Sequence, residues 1–304
     1  MAKAFVIDVS KCCGCYNCQL ACKDEHVDND WAPYARPQPE TGHFWLKLHE
    51  NVCGTVPKVR MHYLPALCNH CAKPACIQAC PAGAISKRDD GLVLIEPGKC
   101  AGSLGCKTCV TACPYEAIYF NEELSLAQKC TGCAHLLDNG HKLPRCVESC
   151  PTDAMQFGEE QNLREIIQGA TVLKPGMGCG PNVYYRNIPG LFIAGTVYDP
   201  VEKEVVIGAK CVLISGERRI EAFTDAYGDF WFNNLGAGKY DICIEAEGFK
   251  AKCFPDVDAA KDVNLGDIPL ARRECVNPGM ETAEAQGRSG AFASAGPPGT
   301  PNSD

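Results

Sequence analysis

Apolar and polar positions alternate with a period of two over several short spans in the second half of the chain. Residues 191–198, 210–214, 220–223 and 240–245 each read as a half-buried strand. Their even spacing, with turn residues between them, predicts a small all-β sandwich over residues 191–270. Before it, residues 161–169 read as a short helix closed by Gly169. The run Lys174-Pro-Gly-Met-Gly-Cys-Gly-Pro-Asn182 lacks periodicity and is expected to belong to a linker over residues 171–190. In the first half the clearest local signal is a hairpin over residues 84–95, where Asp90-Gly91 separates two apolar runs. From residue 271 the chain is rich in Gly, Ala, Ser and Pro, so a disordered tail is expected over residues 271–304.

Composition narrows the class. The 304 residues are 46% hydrophobic and 22% charged, as expected of about two globular domains. A formal net charge of −8 argues against a nucleic-acid partner, which would need a basic footprint. No run approaches the roughly 18 apolar residues of a spanning helix, so direct membrane insertion is not expected. The first residues show neither an apolar signal core nor a twin-arginine pair. The expectation is a cytoplasmic protein, with export by riding on a twin-arginine-tagged partner left open.

Cysteine changes the picture. Of 23 cysteines, 18 fall in the first 150 residues, crowded two or three residues apart. Disulfide frameworks belong to small secreted domains, which makes metal the default reading here. Four motifs stand out: Cys12-x2-Cys15-x2-Cys18-x3-Cys22, Cys68-x2-Cys71-x4-Cys76-x3-Cys80-Pro, Cys100-x5-Cys106-x2-Cys109-x3-Cys113-Pro and Cys130-x2-Cys133-x12-Cys146-x3-Cys150-Pro. In such motifs three close thiolates wrap one iron–sulfur cubane while the fourth points away to a second cluster. Structural zinc needs only paired Cys-x2-Cys knuckles and has no use for the x3-Cys-Pro ending.

The spacing therefore predicts an α+β fold of two interleaved bacterial-ferredoxin-like modules carrying four [4Fe–4S] clusters over residues 1–170. The second and third motifs lie close together and form an inner module, about residues 64–120, inserted between the outer two. The expected ligand sets are Cys12, Cys15, Cys18 and Cys150; Cys22, Cys130, Cys133 and Cys146; Cys68, Cys71, Cys76 and Cys113; and Cys80, Cys100, Cys106 and Cys109. Five residues separate Cys100 from Cys106 where two are usual, so the alternative of an idle Cys100 and a three-iron or missing cluster stays open. Lys73, Lys99, Lys107, Lys129 and Arg145 stand beside these cysteines and could offset cluster charge. His70 and His135 are expected to hydrogen-bond sulfur or to line an electron exit. Cys13 is expected to pack, and Cys211 and Cys243 to be buried thiols. The aromatic loop over residues 28–43, with Trp31 and Tyr34, reads as an interface.

No nucleophile elbow, phosphate loop or dinucleotide fingerprint is present, so no catalytic residue is expected. Thr224-Asp-Ala-Tyr-Gly-Asp-Phe-Trp-Phe-Asn-Asn-Leu-Gly-Ala-Gly-Lys-Tyr240 resembles carboxypeptidase-regulatory and transthyretin-like sandwiches. The four motifs, with Asp24-Glu-His26, Gly42-His43, Trp45, Cys113-Pro-Tyr115, Gln128-Lys-Cys-Thr-Gly-Cys-Ala-His-Leu-Leu-Asp138 and Pro144-Arg-Cys146, resemble the iron–sulfur subunits of the dimethyl sulfoxide reductase superfamily. Within it they are similar to the small subunits of the pyrogallol–phloroglucinol transhydroxylase and catechol dehydroxylase group. That resemblance implies a chain that is no enzyme by itself but relays electrons. Its partner would be a large catalytic subunit holding molybdenum or tungsten on a bis-molybdopterin guanine dinucleotide (bis-MGD) cofactor, with an external donor or acceptor. The sequence departs from the transhydroxylase pattern by keeping all sixteen cysteines, where that subunit lacks those for one cluster. Net redox chemistry on a phenolic ring is the expected consequence. A free-standing polyferredoxin is the alternative.

Overall fold

The computed structural model describes residues 2–100 and 106–273. Its N-terminal half is assembled from short hairpins and short helices. Strand β1 (Lys3–Asp8) runs through the interior, with Phe5, Val6 and Ile7 buried. Helix α1 (Asn17–His26) follows the first cysteine loop. Strands β2 (Leu46–Thr55) and β3 (Lys58–Leu67) pair antiparallel along their whole length. The expected Asp90-Gly91 hairpin joins β4 (Ile85–Lys87) to β5 (Val93–Ile95), with Gly91 at φ 84°, a conformation glycine adopts freely. A third hairpin pairs β6 (Ile118–Asn121) with β7 (Leu126–Lys129).

Strand β8 (Met155–Glu159) then lies antiparallel to β1, and β9 (Val183–Arg186) lies parallel on its other side. The N-terminal strand is thus the centre of a three-stranded sheet that ties the last cysteine motif to the chain entering the second domain. Two expectations change here. The helix over 161–169 is a single turn, Arg164–Ile167, because so short a segment gains too few hydrogen bonds to propagate. Residues 171–190 are not a spacer. They contain β9, whose Val183 and Tyr185 are fully buried, and the Tyr185 hydroxyl donates to the Pro65 carbonyl at 2.9 Å.

The second half is a two-sheet β-sandwich. One sheet holds β10 (Leu191–Asp199) between β11 (Glu204–Val205) and β14 (Asp229–Leu235), and β17 (Val263–Pro269) also pairs with β10. The other is ordered β13-β12-β15-β16, where β12 is Lys210–Ser215, β13 Arg218–Phe223, β15 Lys239–Glu245 and β16 Lys252–Asp258. Ile193, Val197, Phe230 and Phe232 meet Cys211, Leu213, Ile242 and Ile244 in its core. Strand β16 carries Pro255 and exposed polar residues, an edge-strand composition with little alternation to read.

Cysteine pairing corrects one expectation and leaves another. Cys211 is a buried free thiol. Cys243 is not free: it sits directly opposite Cys253 across β15 and β16, Cα to Cα 4.1 Å, in a disulfide. Order also extends past the expected boundary at 271. Arg272 bridges to Phe249 and its Nε donates to Asp199 at 2.6 Å, and the Arg273 amide donates to the Gly248 carbonyl at 2.7 Å. The rest of the expected tail, 274–304, lies outside the described residues.

The β2–β3 hairpin joins the halves. Lys58, only 4% exposed, pairs with Asp229, whose carboxylate also accepts from the Thr196 hydroxyl at 2.7 Å. The Arg60 guanidinium donates to Asn233 Oδ1 at 2.8 Å and lies against the Phe192 and Trp231 rings. A side chain at Gly54 would overlap the Lys58 carbonyl and the Phe192 ring. Breaking a buried ion pair strands a charge, whereas replacing the charge with an apolar group of similar size does not. Asp229→Ala is therefore expected to cost about 3 kcal/mol, and Lys58→Met much less, read as shifts in thermal unfolding of the intact chain. Equal losses from both would refute this account of the joint.

Candidate metal centres

The cysteine loops are built by backbone turns, and three of the four motifs end at a proline. Gly14 at φ 73° and Tyr16 at φ 62° curl the first loop, and Gly132 at φ 65° and Cys133 at φ 51° curl the fourth. Cys80 and Cys113 cap short helices at Ala75–Ala79 and Thr108–Ala112 in extended conformation (ψ 106° and 111°). The proline after each disfavours helical geometry at the cysteine, so the helix stops there and the sulfur turns aside. Cys22 has no such proline, and α1 continues to His26.

Cys12, Cys15, Cys18 and Cys150 line one cavity, closed by Leu48, Pro65 and Met155. Cys68, Cys71, Cys76 and Cys113 line a second, against Val93 and Ile118. Cys22 is influenced by the sulfurs of Cys130 and Cys133, and Cys146 by those of Cys133, Cys22 and Cys130, which places these four together in the interior. Cys109 is influenced by Cys100, Cys80, Cys76 and Cys106, and Cys80, Cys100 and Cys109 pack around Ile85, Val93 and Ile95. Cys100 thus faces Cys80 and Cys109, while the loop 101–105 lies outside the described residues.

Burial dominates the electrostatics of the more deeply placed of these thiols. It pushes Cys18, Cys71 and Cys133 up to about 12, with neighbouring cysteines adding to the rise. Several thiolates share such a cavity only around a cationic centre. Among the described residues, no three His, Cys, Asp or Glu side chains converge to hold a single ion. Backbone amides already donate to sulfur: Ala84 to Cys80 at 3.3 Å, Ala127 to Cys100 at 3.4 Å and Gly132 to Cys130 at 3.3 Å. The residues fit a [4Fe–4S] group.

The surroundings differ from several expectations. Cys13 is exposed at the mouth of the first cavity rather than packed. His70 accepts from the Val93 amide at 2.9 Å through Nδ1, and its buried Nε2 has no partner among the described residues. His135 bonds Glu25 at 3.0 Å and stacks on Trp31 at 4.3 Å. The loop over 28–43 folds back on its own module: Trp31 Nε1 donates to the Glu25 carbonyl at 2.9 Å, and the Tyr34 hydroxyl to Asp138 at 2.6 Å. Of the five cations beside the cysteines, Lys129 is buried, donating to the Val93 and Cys130 carbonyls. Lys99, Lys107 and Arg145 pair with carboxylates, and Lys73 faces solvent. Cys179, which no motif singles out, lines the second cavity beside Cys71.

A family model, the 4Fe-4S dicluster domain, matches residues 59–160, and the carboxypeptidase regulatory-like domain matches residues 193–271. The chain is 37% identical to the pyrogallol hydroxytransferase small subunit of Pelobacter acidigallici over 284 residues, 87% of this chain and 98% of that protein. It is 40% identical to an anaerobic dimethyl sulfoxide reductase chain of Escherichia coli over 45% of this chain and 64% of that one. With a tetrathionate reductase subunit of Archaeoglobus fulgidus it shares 37% identity over 62% of this chain and 83% of that one. The chain carries 4Fe–4S clusters and relays electrons; it is not itself a catalyst. It belongs to the iron–sulfur subunits of the dimethyl sulfoxide reductase superfamily, together with the hydroxytransferase small subunit.

Asp138 clamps three segments of this half. Arg88 grips it with two hydrogen bonds, 2.8 and 2.7 Å, and Tyr34 adds a third. These bonds, Arg88 first, lower the Asp138 carboxyl to about 2. The stability it contributes is present above the ordinary carboxylate range and is lost only as pH falls through about 2. The carboxylate is partly exposed, so solvent screens the pair. Asp138→Asn is expected to cost about 1 kcal/mol, seen as a lower thermal midpoint at neutral pH and faster proteolysis within 28–43. Unchanged proteolysis would remove the clamp from the account.

Proposed function

We propose that residues 1–170 hold four [4Fe–4S] clusters in the four cysteine sets given above, and that residues 191–270 form a sandwich bracing a catalytic partner. The observation that carries this reading is that two cavities are each lined by three cysteines of one motif and the last cysteine of another. The bound clusters supply one-electron acceptance and release. The chain's own residues set their order. Cys18 neighbours Cys22 and Cys146, Cys130 neighbours Cys68, and Cys109 neighbours Cys76, which favours a single line of sites. The line runs from the set with exposed Cys15, through the buried Cys22, Cys130, Cys133 and Cys146, to the set with half-exposed Cys100 and Cys106. Lys129 offsets negative charge midway along it.

The partner in this reading is a large subunit with molybdenum or tungsten on bis-MGD. The similarity to a pyrogallol hydroxytransferase subunit along nearly its whole length, sandwich included, supports a phenolic ring as substrate. A line with sixteen cysteines favours net redox chemistry, such as dehydroxylation, over a redox-neutral transfer. Metal analysis of complex purified anaerobically through this subunit is expected to give about sixteen irons per chain with one molybdenum or tungsten. About twelve irons would remove one site, and iron without either metal would favour a free carrier. Turnover of pyrogallol without an external donor or acceptor would refute the net-redox reading.

The Cys243–Cys253 disulfide favours a second reading of location, export with the partner, because disulfides persist in oxidising compartments. Acid-quenched thiol trapping on cell fractions is expected to find this pair oxidised outside the cytoplasm. A reduced pair in the cytoplasmic fraction would refute export.

A further inference from the structure

We propose that Cys179 is a fifth thiol of the set formed by Cys68, Cys71, Cys76 and Cys113, placed to replace Cys71 as an iron ligand. This rests on the ligand assignment made above. Cys179 lies outside every motif, in the strap between the two domains. That strap is pinned across the cavity rather than hanging free. At one end Lys174 Nζ donates to the Pro114 carbonyl at 2.6 Å, beside Cys113. At the other, the Ala72 amide donates to the Gly180 carbonyl at 2.6 Å and the Lys73 amide to the Cys179 carbonyl at 2.9 Å. The Asn182 amide donates to the Asn69 carbonyl at 2.8 Å, extending the seam along the cysteine loop.

This clamp puts Cys179 among the four other cysteines of the cavity wall, 8% exposed. Gly180, at φ 58°, allows the close approach; a side chain there would press on the Ala72 methyl at 3.1 Å. Asn69, 2% exposed, lines the same cavity and its Oδ1 has no partner among the described residues, which points to an occupant of this space. Cys179 itself rests as a thiol, donating weakly to the Met177 carbonyl at 3.5 Å. Cys71 is more accessible than Cys179, which is buried. In the exchange an Fe–Sγ bond to Cys179 takes the place of the bond to Cys71. The Cys179 thiol proton goes to the released Cys71 thiolate, and no electron moves.

The test compares Cys71→Ser, Cys179→Ser and the double variant in the anaerobically purified complex, by iron per chain and electron paramagnetic resonance. Cys71→Ser is expected to keep the wild-type iron content and four-iron signals, with one signal altered in shape. Cys179→Ser is expected to match wild type in iron. The double variant is expected to lose about one iron and show a three-iron signal when oxidised, or to lose that cluster. Loss from Cys71→Ser equal to that of the double variant would overturn the proposal, as would iron loss from Cys179→Ser alone. Failure of Cys71→Ser to accumulate would also overturn it, because an available fifth thiol should spare the fold. A Cys113→Ser/Cys179→Ser variant that keeps all its iron would instead show that the ligand assignment is wrong.

Discussion

Sulfur crowded out of water is the constraint on which the N-terminal half depends. Its apolar core includes Cys18, Cys22, Cys68, Cys130 and Cys146 beside Phe5, Ile7, Trp45 and Tyr185. Burial makes Cys18, Cys22 and Cys146 reluctant to ionise, and their neighbours make them more so. A cationic iron–sulfur core would reverse that balance by favouring the thiolate form. Lys129, buried among carbonyls, supplies fixed positive charge where the proposed sets adjoin.

The secondary structure is subordinate to that constraint. Several helices here span four or five residues, too short to persist alone. Their ends are held instead by cysteines that lie against sulfurs from another motif. Strand β1 closes the arrangement by pairing with β8 and β9, so the start of the chain holds the last cysteine motif against the strap. The sandwich is built on a different principle. Its two sheets bury Ile193, Phe230, Leu213 and Ile242 without needing metal. The continuous run from β9 to β10 and the Lys58–Asp229 pair fix it to the cluster-bearing half.

Much of this was legible because it is local. The hairpin at Asp90-Gly91 follows from one dipeptide between apolar runs. The turn of Cys80 and Cys113 away from their helices follows from the proline beside each. Strands β10, β12, β13 and β15 follow from alternation. Less was legible where the pattern is weak or the partner distant. Strand β16 carries a proline and polar residues, and the Arg164–Ile167 turn is too short to hold its expected length. Trp31 and Tyr34 read as a free aromatic surface, yet His135 and Asp138 draw them inward.

The sequence by itself determined that this chain is an iron–sulfur electron carrier with an appended sandwich, because cysteine spacing and strand period act over a few residues and need no knowledge of the rest. Tertiary structure alone decided which sulfurs share a cavity with Cys179, that Cys243 faces Cys253, and that the Gly/Pro-rich strap is a buried seam. Those contacts join segments whose approach is set by how β1, β9 and the cysteine loops pack together. Spacing along the chain carries no record of that packing.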